Sequence, residues 1–334
     1  MNDVKVKIDL AQPVGKLGFG VPLILLENAA KAVEYSEVNG VTELVALGFE
    51  STSTVYKVAQ LMYSQANAPK TIAVCAYEGI ATEALADAKL ISKGWRQLLV
   101  VNGDGEASTV TAISAAVEAL EGKMYFASLD VKDSASITVN GIRRTVLFYC
   151  DATENAPVPA AALVGEIAGR EVGSFTCKNL ILTGIKAQEL TATEVAALHA
   201  KGGMTFVMKA GDAVTTEGKV VGGEYIDVID AEDYIVQQLT YQTQNVLNKA
   251  GKVPYDNNGI AMLEAAAMNV LQDAYNKGMI ANKADGTPDY FVSYALREDT
   301  SETDRAKRYY AGGKFGFALA GAIHEVYITG EITV

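Results

Sequence analysis

Thr71-Ile72-Ala73-Val74-Cys75-Ala76, Gln97-Leu98-Leu99-Val100-Val101 and Met124-Tyr125-Phe126-Ala127 are short, unbroken apolar runs separated by stretches of helical spacing. Unbroken runs, unlike alternating ones, belong to strands covered on both faces, and strands that take turns with helices pair in parallel. The same rhythm extends outward over about residues 36–210. Helices are expected over 52–65 (Val55, Val58, Leu61 and Met62 on one side), 81–93, 108–120, 157–169 and 191–201. Further strands are expected over 180–183 and 205–208. Residues 137–149 read as a hairpin turning at Asn140-Gly141, a strong two-residue turn signal. The fold class is therefore α/β, a mainly parallel sheet with helices on both faces.

After residue 210 the texture changes. Residues 212–228 read as a hairpin turning near Glu217-Gly218. Long helices are expected over 230–249 and 258–277; the first opens Asp-Ala-Glu-Asp, which suits the positive end of the helix dipole. A strand over 289–296, a helical turn over 301–307 and strands over 314–320 and 323–334 complete an α+β part. Both chain ends alternate strictly. Val4, Val6, Ile8 and Leu10 interleave with Lys5, Lys7 and Asp9; Val326, Ile328, Ile332 and Val334 interleave with polar residues. Each is the pattern of a strand with one buried face, and its ladder needs a neighbour in this chain or in another copy.

A length of 334 residues suits about two domains, and 49% hydrophobic residues suffice for a packed core. The 28 basic residues against 40 acidic ones leave a net charge of −12. That balance argues against general nucleic-acid binding, which needs a basic footprint. The most apolar stretch, residues 18–30, contains Glu27 and Asn28 and falls short of the ~20 apolar residues of a membrane span. Met1-Asn2-Asp3-Val4-Lys5 lacks the cationic start of a signal peptide, so synthesis and assembly are expected in the cytoplasm. Cys75, Cys150 and Cys177 are scattered in apolar settings and read as buried, reduced residues.

Few motifs carry chemistry. Gly103-Asp104-Gly105 follows a strand and precedes a helix, a geometry that can present N–H groups to an anion. It lacks the Gly-x-Gly-x-x-Gly pattern and the P-loop lysine, and Asp104 and Glu106 oppose phosphate. An α/β enzyme holding a small anionic ligand there is the alternative function. His199 and His324, the only histidines, stand beside no Gly-x-Ser-x-Gly elbow and no ligand cluster, so neither catalysis nor metal binding is expected. Cofactors expected: none. Arg305, Lys307 and Arg308 put three cations within four residues of an acidic chain; they read as a solvated helix end or as a contact patch for an acidic partner.

Several segments together resemble contractile phage-tail sheath proteins: Asp304-Arg305-Ala306-Lys307-Arg308, Phe315-Gly316-Phe317-Ala318-Leu319-Ala320-Gly321-Ala322-Ile323-His324, the run Ala160 to Arg170, Leu180 to Ile185, Gly222 to Ile229 and Lys252-Val253-Pro254-Tyr255. The similarity is clear over about residues 160–334 and architectural before that. It implies a subtilisin-like sheath domain without a protease site, an α+β C-terminal domain and extended terminal β-arms. The implied division is 1–20 (arm), 21–215 (α/β sheath domain), 216–322 (polymerising, tube-facing domain) and 323–334 (arm). By resemblance, the terminal strands named above add to sheets of neighbouring subunits, with hinges at Pro13, Gly15, Gly312 and Gly313 and a tube contact at Arg305, Lys307 and Arg308. The implied partners are copies of the chain, an inner tail tube, and baseplate and tail-terminator proteins, with no nucleic acid and no membrane insertion. The implied particle is extracellular, a minimal sheath of a phage tail, R-type bacteriocin or related contractile injection system that contracts without nucleotide.

Overall fold

The computed structural model describes residues 19–102, 107–135 and 141–324. The chain divides into two compact units; among the described residues one holds 19–171 and 175–229, the other 172–174 and 230–324. The division falls at 229/230, inside a helix.

The first unit is built on an eight-stranded sheet. In chain order its elements are β1 (Val21–Leu26), β2 (Val33–Val38), α1 (Val41–Ala46), α2 (Thr54–Tyr63), β3 (Ile72–Ala76), α3 (Ala81–Ala84), α4 (Ala88–Ile91), β4 (Trp95–Val101), α5 (Ala107–Glu118), β5 (Met124–Leu129), β6 (Thr145–Tyr149), α6 (Ala160–Ala168), α7 (Ala192–Ala200), β7 (Gly203–Lys209) and β8 (Asp212–Thr215). The spatial order is β2-β3-β1-β4-β5-β6-β7-β8. The six strands β3, β1, β4, β5, β6 and β7 run parallel; β2 and β8 are antiparallel at the two edges. Successive residues of each inner strand face opposite layers. Ile24, Val74, Leu99 and Phe126 join α1, α2 and α6 in one core, while Leu25, Cys75, Leu98 and Tyr125 join α3, α4, α5 and α7 in the other. That two-sided burial is why these strands read as unbroken apolar runs.

Four sequence expectations are corrected. The helix over 81–93 is two short ones, because Asp87 accepts from the Lys89 N–H at 2.9 Å and starts α4 afresh. Residues 180–183 form no strand: the Leu180 N–H is taken by Thr215 Oγ1 and the Thr183 N–H by Gln65 Oε1, so side chains take N–H groups that a ladder would use. Residues 145–149 form the inner strand β6, parallel to β5 and β7, rather than a hairpin arm; residues 136–140 lie outside the described residues. The second hairpin joins β7 to β8 and turns at Ala210-Gly211, both left-handed, not at Glu217-Gly218.

The outer edges of this sheet are guarded. β2 carries Glu34 and Glu37, and its pairing with β3 is interrupted between Val33 and Ser36. β8 has four residues, and its Thr215 exchanges backbone hydrogen bonds with Asn179 and Leu180. Charge, irregular pairing and a covering segment are the standard means of preventing strand addition.

Inside the unit, α6 is buried along nearly its whole length, including Glu166, which is 1% exposed. Its carboxylate accepts from the Asn67 N–H (3.1 Å), Asn67 Nδ2 (2.7 Å) and Arg170 Nε (3.1 Å). Burial pushes this carboxyl up, but the Arg170 and Asn67 hydrogen bonds outweigh it, and the net shift is below the ordinary Glu value of 4.5. A depressed carboxyl stabilises the fold above its unfolded pKa and loses that contribution as pH falls through the folded one. Thermal melting should therefore fall in acid below pH 4.5, and Glu166→Gln should lose about 1 kcal/mol at neutral pH and flatten that acid limb.

The second unit continues α8 (Ile226–Lys249), which begins in the first, and adds α9 (Asn257–Asn276), β9 (Tyr290–Tyr294), a 3-10 turn at Arg297–Asp299, α10 (Glu302–Ala306) and β10 (Gly313–Phe317). Asp256 caps α9 by accepting from the Gly259 N–H at 2.9 Å. α8 and α9 are linked where Tyr234 Oη donates to Asp273 Oδ2 (3.0 Å) and Lys277 Nζ donates to Tyr234 Oη (2.6 Å). Ile235 and Leu239 of α8, with Ile260, Ala267, Val270, Leu271 and Ala274 of α9, are among its buried apolar residues.

Candidate assembly site

β9 and β10 pair antiparallel in an unbroken register, Tyr294 opposite Gly313 through Tyr290 opposite Phe317. The Ala295 N–H donates to Gly312 O (3.0 Å) and the Ala318 N–H to Asp289 O (2.9 Å). Antiparallel pairs alternate between hydrogen-bonded and non-hydrogen-bonded. Ser293–Lys314 and Phe291–Gly316 are therefore the bonded pairs. Tyr290, Val292 and Tyr294 turn their backbone groups outward on one edge, and Gly313, Phe315 and Phe317 do so on the other. Among the described residues, no strand pairs with either edge.

The side chains follow the same alternation. Tyr290, Val292, Tyr294, Phe315 and Phe317 are half-buried on one face, where Tyr290 Oη donates to Gln272 Oε1 of α9 (2.8 Å) and the rings of Phe315 and Phe317 lie 6.3 Å apart. The other face shows Phe291, 57% exposed, above Gly316. The result is a short apolar ribbon with no charge on β9 and one, Lys314, on β10.

The connection between the strands is tied at several points. Arg305 Nη1 donates to Thr300 O, Thr300 Oγ1 and Arg297 O. Tyr310 Oη donates to Ala295 O (2.8 Å) and Tyr255 Oη to Tyr309 O (3.0 Å), with Tyr310 stacked 5.9 Å from Tyr294. Of the three cations singled out in sequence, Arg305 is thus turned into its own loop, while Lys307 and Arg308 are exposed. Gly312 and Gly313 are crowded: a Cβ on Gly312 would lie 2.8 Å from Ala295 Cβ, and one on Gly313 2.8 Å from Tyr294 Cζ. The strand residues Val4, Val6, Ile8, Leu10, Val326, Ile328, Ile332 and Val334, with Pro13 and Gly15, lie outside the described residues.

The other candidates are brought to no site. Gly103-Asp104-Gly105 lies outside the described residues. At the ends of β1 and β4, where the strand order reverses, α/β folds ordinarily bind ligands. Here Glu27 is buried and its Oε2 accepts from the Ala81 N–H at 2.8 Å, so the chain's own carboxylate meets the first turn of α3. His199 Nε2 lies 2.9 Å from Thr216 Oγ1, and burial lowers its pKa. The three cysteines are free and buried; burial pushes Cys75 up to about 11 and Cys150 up to about 12. Among the described residues no group of acidic, histidine and cysteine side chains could hold a metal, and no helix is long and apolar enough to cross a membrane.

Residues 226–332 match the family model of the E217 tail sheath protein gp31-like C-terminal domain. No curated protein sequence matches significantly. Among solved structures, the contracted helical sheath of the anti-feeding prophage aligns with a TM-score of 0.72 at 16% identity, covering 99% of this chain and 97% of that one. The contracted sheath complex of the extracellular contractile injection system PVC gives 0.72 at 12% identity, covering 100% and 96%. A chain of the anti-feeding prophage baseplate gives 0.68 at 16%, covering 100% and 98%. At these identities the structural matches establish the fold. Residues 226–332 are thus similar to a tail-sheath C-terminal domain, and along its length the chain has the fold seen in these contractile sheath structures.

Proposed function

We propose that this chain is the repeating subunit of a contractile tail sheath. It polymerises helically around an inner tube by exchanging terminal β-strands with neighbouring copies, and it contracts without nucleotide hydrolysis to drive the tube through a bacterial envelope. Its role is structural and mechanical, not enzymatic. The observation that carries this is the contrast between the two sheets. The large sheet guards its outer strands, whereas the β9–β10 ribbon leaves both edges and an apolar face available for strand addition. In strand addition the main chain supplies affinity and alternate side chains set register. The alternating ends, Val4 to Leu10 and Val326 to Val334, have the pattern such guests require. A guest strand of five or six residues gains several kcal/mol at about 1 kcal/mol per hydrogen bond. Because donor and acceptor surfaces differ, the contact is heterologous and generates an open polymer.

Baseplate and tail-terminator proteins are the partners at the sheath ends. Lys307 and Arg308 are the exposed cations for a tube contact, with Arg305 holding their loop. The particle is assembled in the host cytoplasm and acts outside it, as a phage tail, R-type bacteriocin or related injection particle.

Electron microscopy of the purified protein tests the assignment. Hollow cylinders with a helical lattice are expected; a uniform monomer at high concentration would refute it. Removing residues 331–334 should abolish cylinders while the circular-dichroism melt stays that of the full chain. Cylinders that persist would remove the C-terminal strand from the exchange.

A further inference from the structure

β2 leads into an asparagine–glycine pair, Asn39-Gly40, and the sheet decides what stands beside it. β2 and β3 are antiparallel with Val38 opposite Ile72, so the next residue outward, Asn39, lies opposite Thr71. Thr71 Oγ1 donates to Asn39 Oδ1 at 2.7 Å. The Asn39 N–H donates to Glu43 Oε2 at 3.1 Å, and the Glu43 N–H to Gly40 O at 3.2 Å. Gly40, the residue that opens α1, is extended (φ 179°, ψ 161°), and its N–H makes no hydrogen bond among the described residues. A Cβ there would meet nothing within 4 Å, so neither packing nor a left-handed backbone demands glycine. What glycine leaves is an uncrowded amide nitrogen next to an exposed side-chain amide. The chain holds three further Asn-Gly pairs. Asn102-Gly103 and Asn140-Gly141 lie partly outside the described residues. Asn258-Gly259 lies in the first turn of α9, where Gly259 is buried and its N–H donates to Asp256 Oδ1 at 2.9 Å.

We propose that Asn39-Gly40 is a self-modifying site at which Asn39 loses its amide, with Thr71 holding the oxygen on which charge develops. The Gly40 nitrogen gives up its proton and attacks Asn39 Cγ; a nitrogen–carbon bond forms, and Oδ1 takes the charge of the tetrahedral intermediate. The Thr71 hydroxyl already donates to that oxygen, so the intermediate meets a donor in place. The Cγ–Nδ2 bond then breaks, and the amide nitrogen takes up a proton and leaves as ammonia. Water opens the resulting succinimide at either carbonyl, giving aspartate or isoaspartate; nothing is oxidised or reduced. Each event adds one negative charge just beyond β2, an edge strand that already carries Glu34 and Glu37, and so reinforces the charge that keeps added strands off that edge. The site does not depend on the sheath function above.

The experiment incubates native full-length protein at mildly alkaline pH and follows the Asn39 and Asn258 peptides by mass spectrometry, with isoaspartate detected by its methyltransferase. Asn39 should convert, and faster as pH rises, because the attacking nitrogen must lose its proton. Asn258 should convert at least about tenfold more slowly, since α9 must open first. The two rates should converge once guanidinium unfolds the chain. Thr71→Val should slow conversion at Asn39 about tenfold, less than the loss of a donor shielded from water would. Thr71→Ser should retain the wild-type rate. Gly40→Ala, which the extended backbone and open space accommodate, should nearly stop conversion without changing the melt. Native Asn39 as inert as native Asn258 overturns the site. An unchanged or raised rate in Thr71→Val overturns the part given to Thr71; if that variant does not fold, Thr71→Ala decides by the same criterion.

Discussion

Val292→Pro should abolish cylinder formation while leaving a folded monomer, and its neighbour Ser293→Pro should instead unfold the small sheet. The difference follows from the register. Val292 faces Phe315 as a non-hydrogen-bonded pair, so its N–H points away from β10, toward the position an added strand would occupy. Proline there takes nothing from the ladder; it is tolerated on an edge for that reason. It removes one bond to the guest, leaves a guest carbonyl unsatisfied and sets ring carbons in the guest's path. The first two effects together amount to about 3 kcal/mol, or roughly a 100-fold rise in the concentration needed for assembly. Ser293 faces Lys314 as a bonded pair, and its side chain is exposed. Proline there breaks the hairpin's own ladder without disturbing packing, so a lower melting temperature is expected first. Sedimentation and thermal melting of the two variants read this directly. Val292→Pro cylinders of normal yield would exclude the β9 edge as an acceptor.

Much of this architecture is local, and for that reason visible in the sequence. β3 and the stretches Leu98–Val101 of β4 and Met124–Ala127 of β5 are apolar throughout because both of their faces are covered, and α2, α5 and α9 carry an apolar stripe with polar residues opposite. The strands β9 and β10 overlap the strands expected over 289–296 and 314–320. What stayed hidden depends on partners distant in sequence. β1, an inner strand, is followed by Glu27, a residue that reads as an interruption until its carboxylate is found on the Ala81 N–H fifty-four positions away. Residues 180–183 read as a strand in the sequence, but the N–H groups of Leu180 and Thr183 go to the side chains of Thr215 and Gln65. The β7–β8 turn uses Ala210 in a left-handed conformation, for which alanine gives no warning. At the assembly site the three cations read as one patch. Only the fold separates Arg305, which closes its own loop, from Lys307 and Arg308. Whether an edge is covered is likewise a property of the whole chain.

A large loss of stability in the α/β unit should come from Gly165→Ala, a change that a helix in isolation would welcome. Alanine is favoured over glycine inside a helix by about 1 kcal/mol. Here α6 crosses α2 at Gly165, and a Cβ would lie 2.6 Å from both Met62 Cα and Met62 O. These are backbone atoms, so no side-chain rotation relieves the clash; the helices must separate. Separation reaches the core shared by Val58, Met62, Leu163 and Ile167, which are all buried. Overpacking of this kind costs about 3 kcal/mol and more where backbone is involved, which outweighs the propensity gain. A net loss of about 2–3 kcal/mol corresponds to a melting temperature lower by roughly 5–10 °C for a unit of this size. Gly94→Ala is the matched control: its Cβ would meet nothing within 4 Å and its φ is not left-handed, so melting should be unchanged. An increase in stability for Gly165→Ala would mean that α2 and α6 stand further apart in solution than this crossing requires.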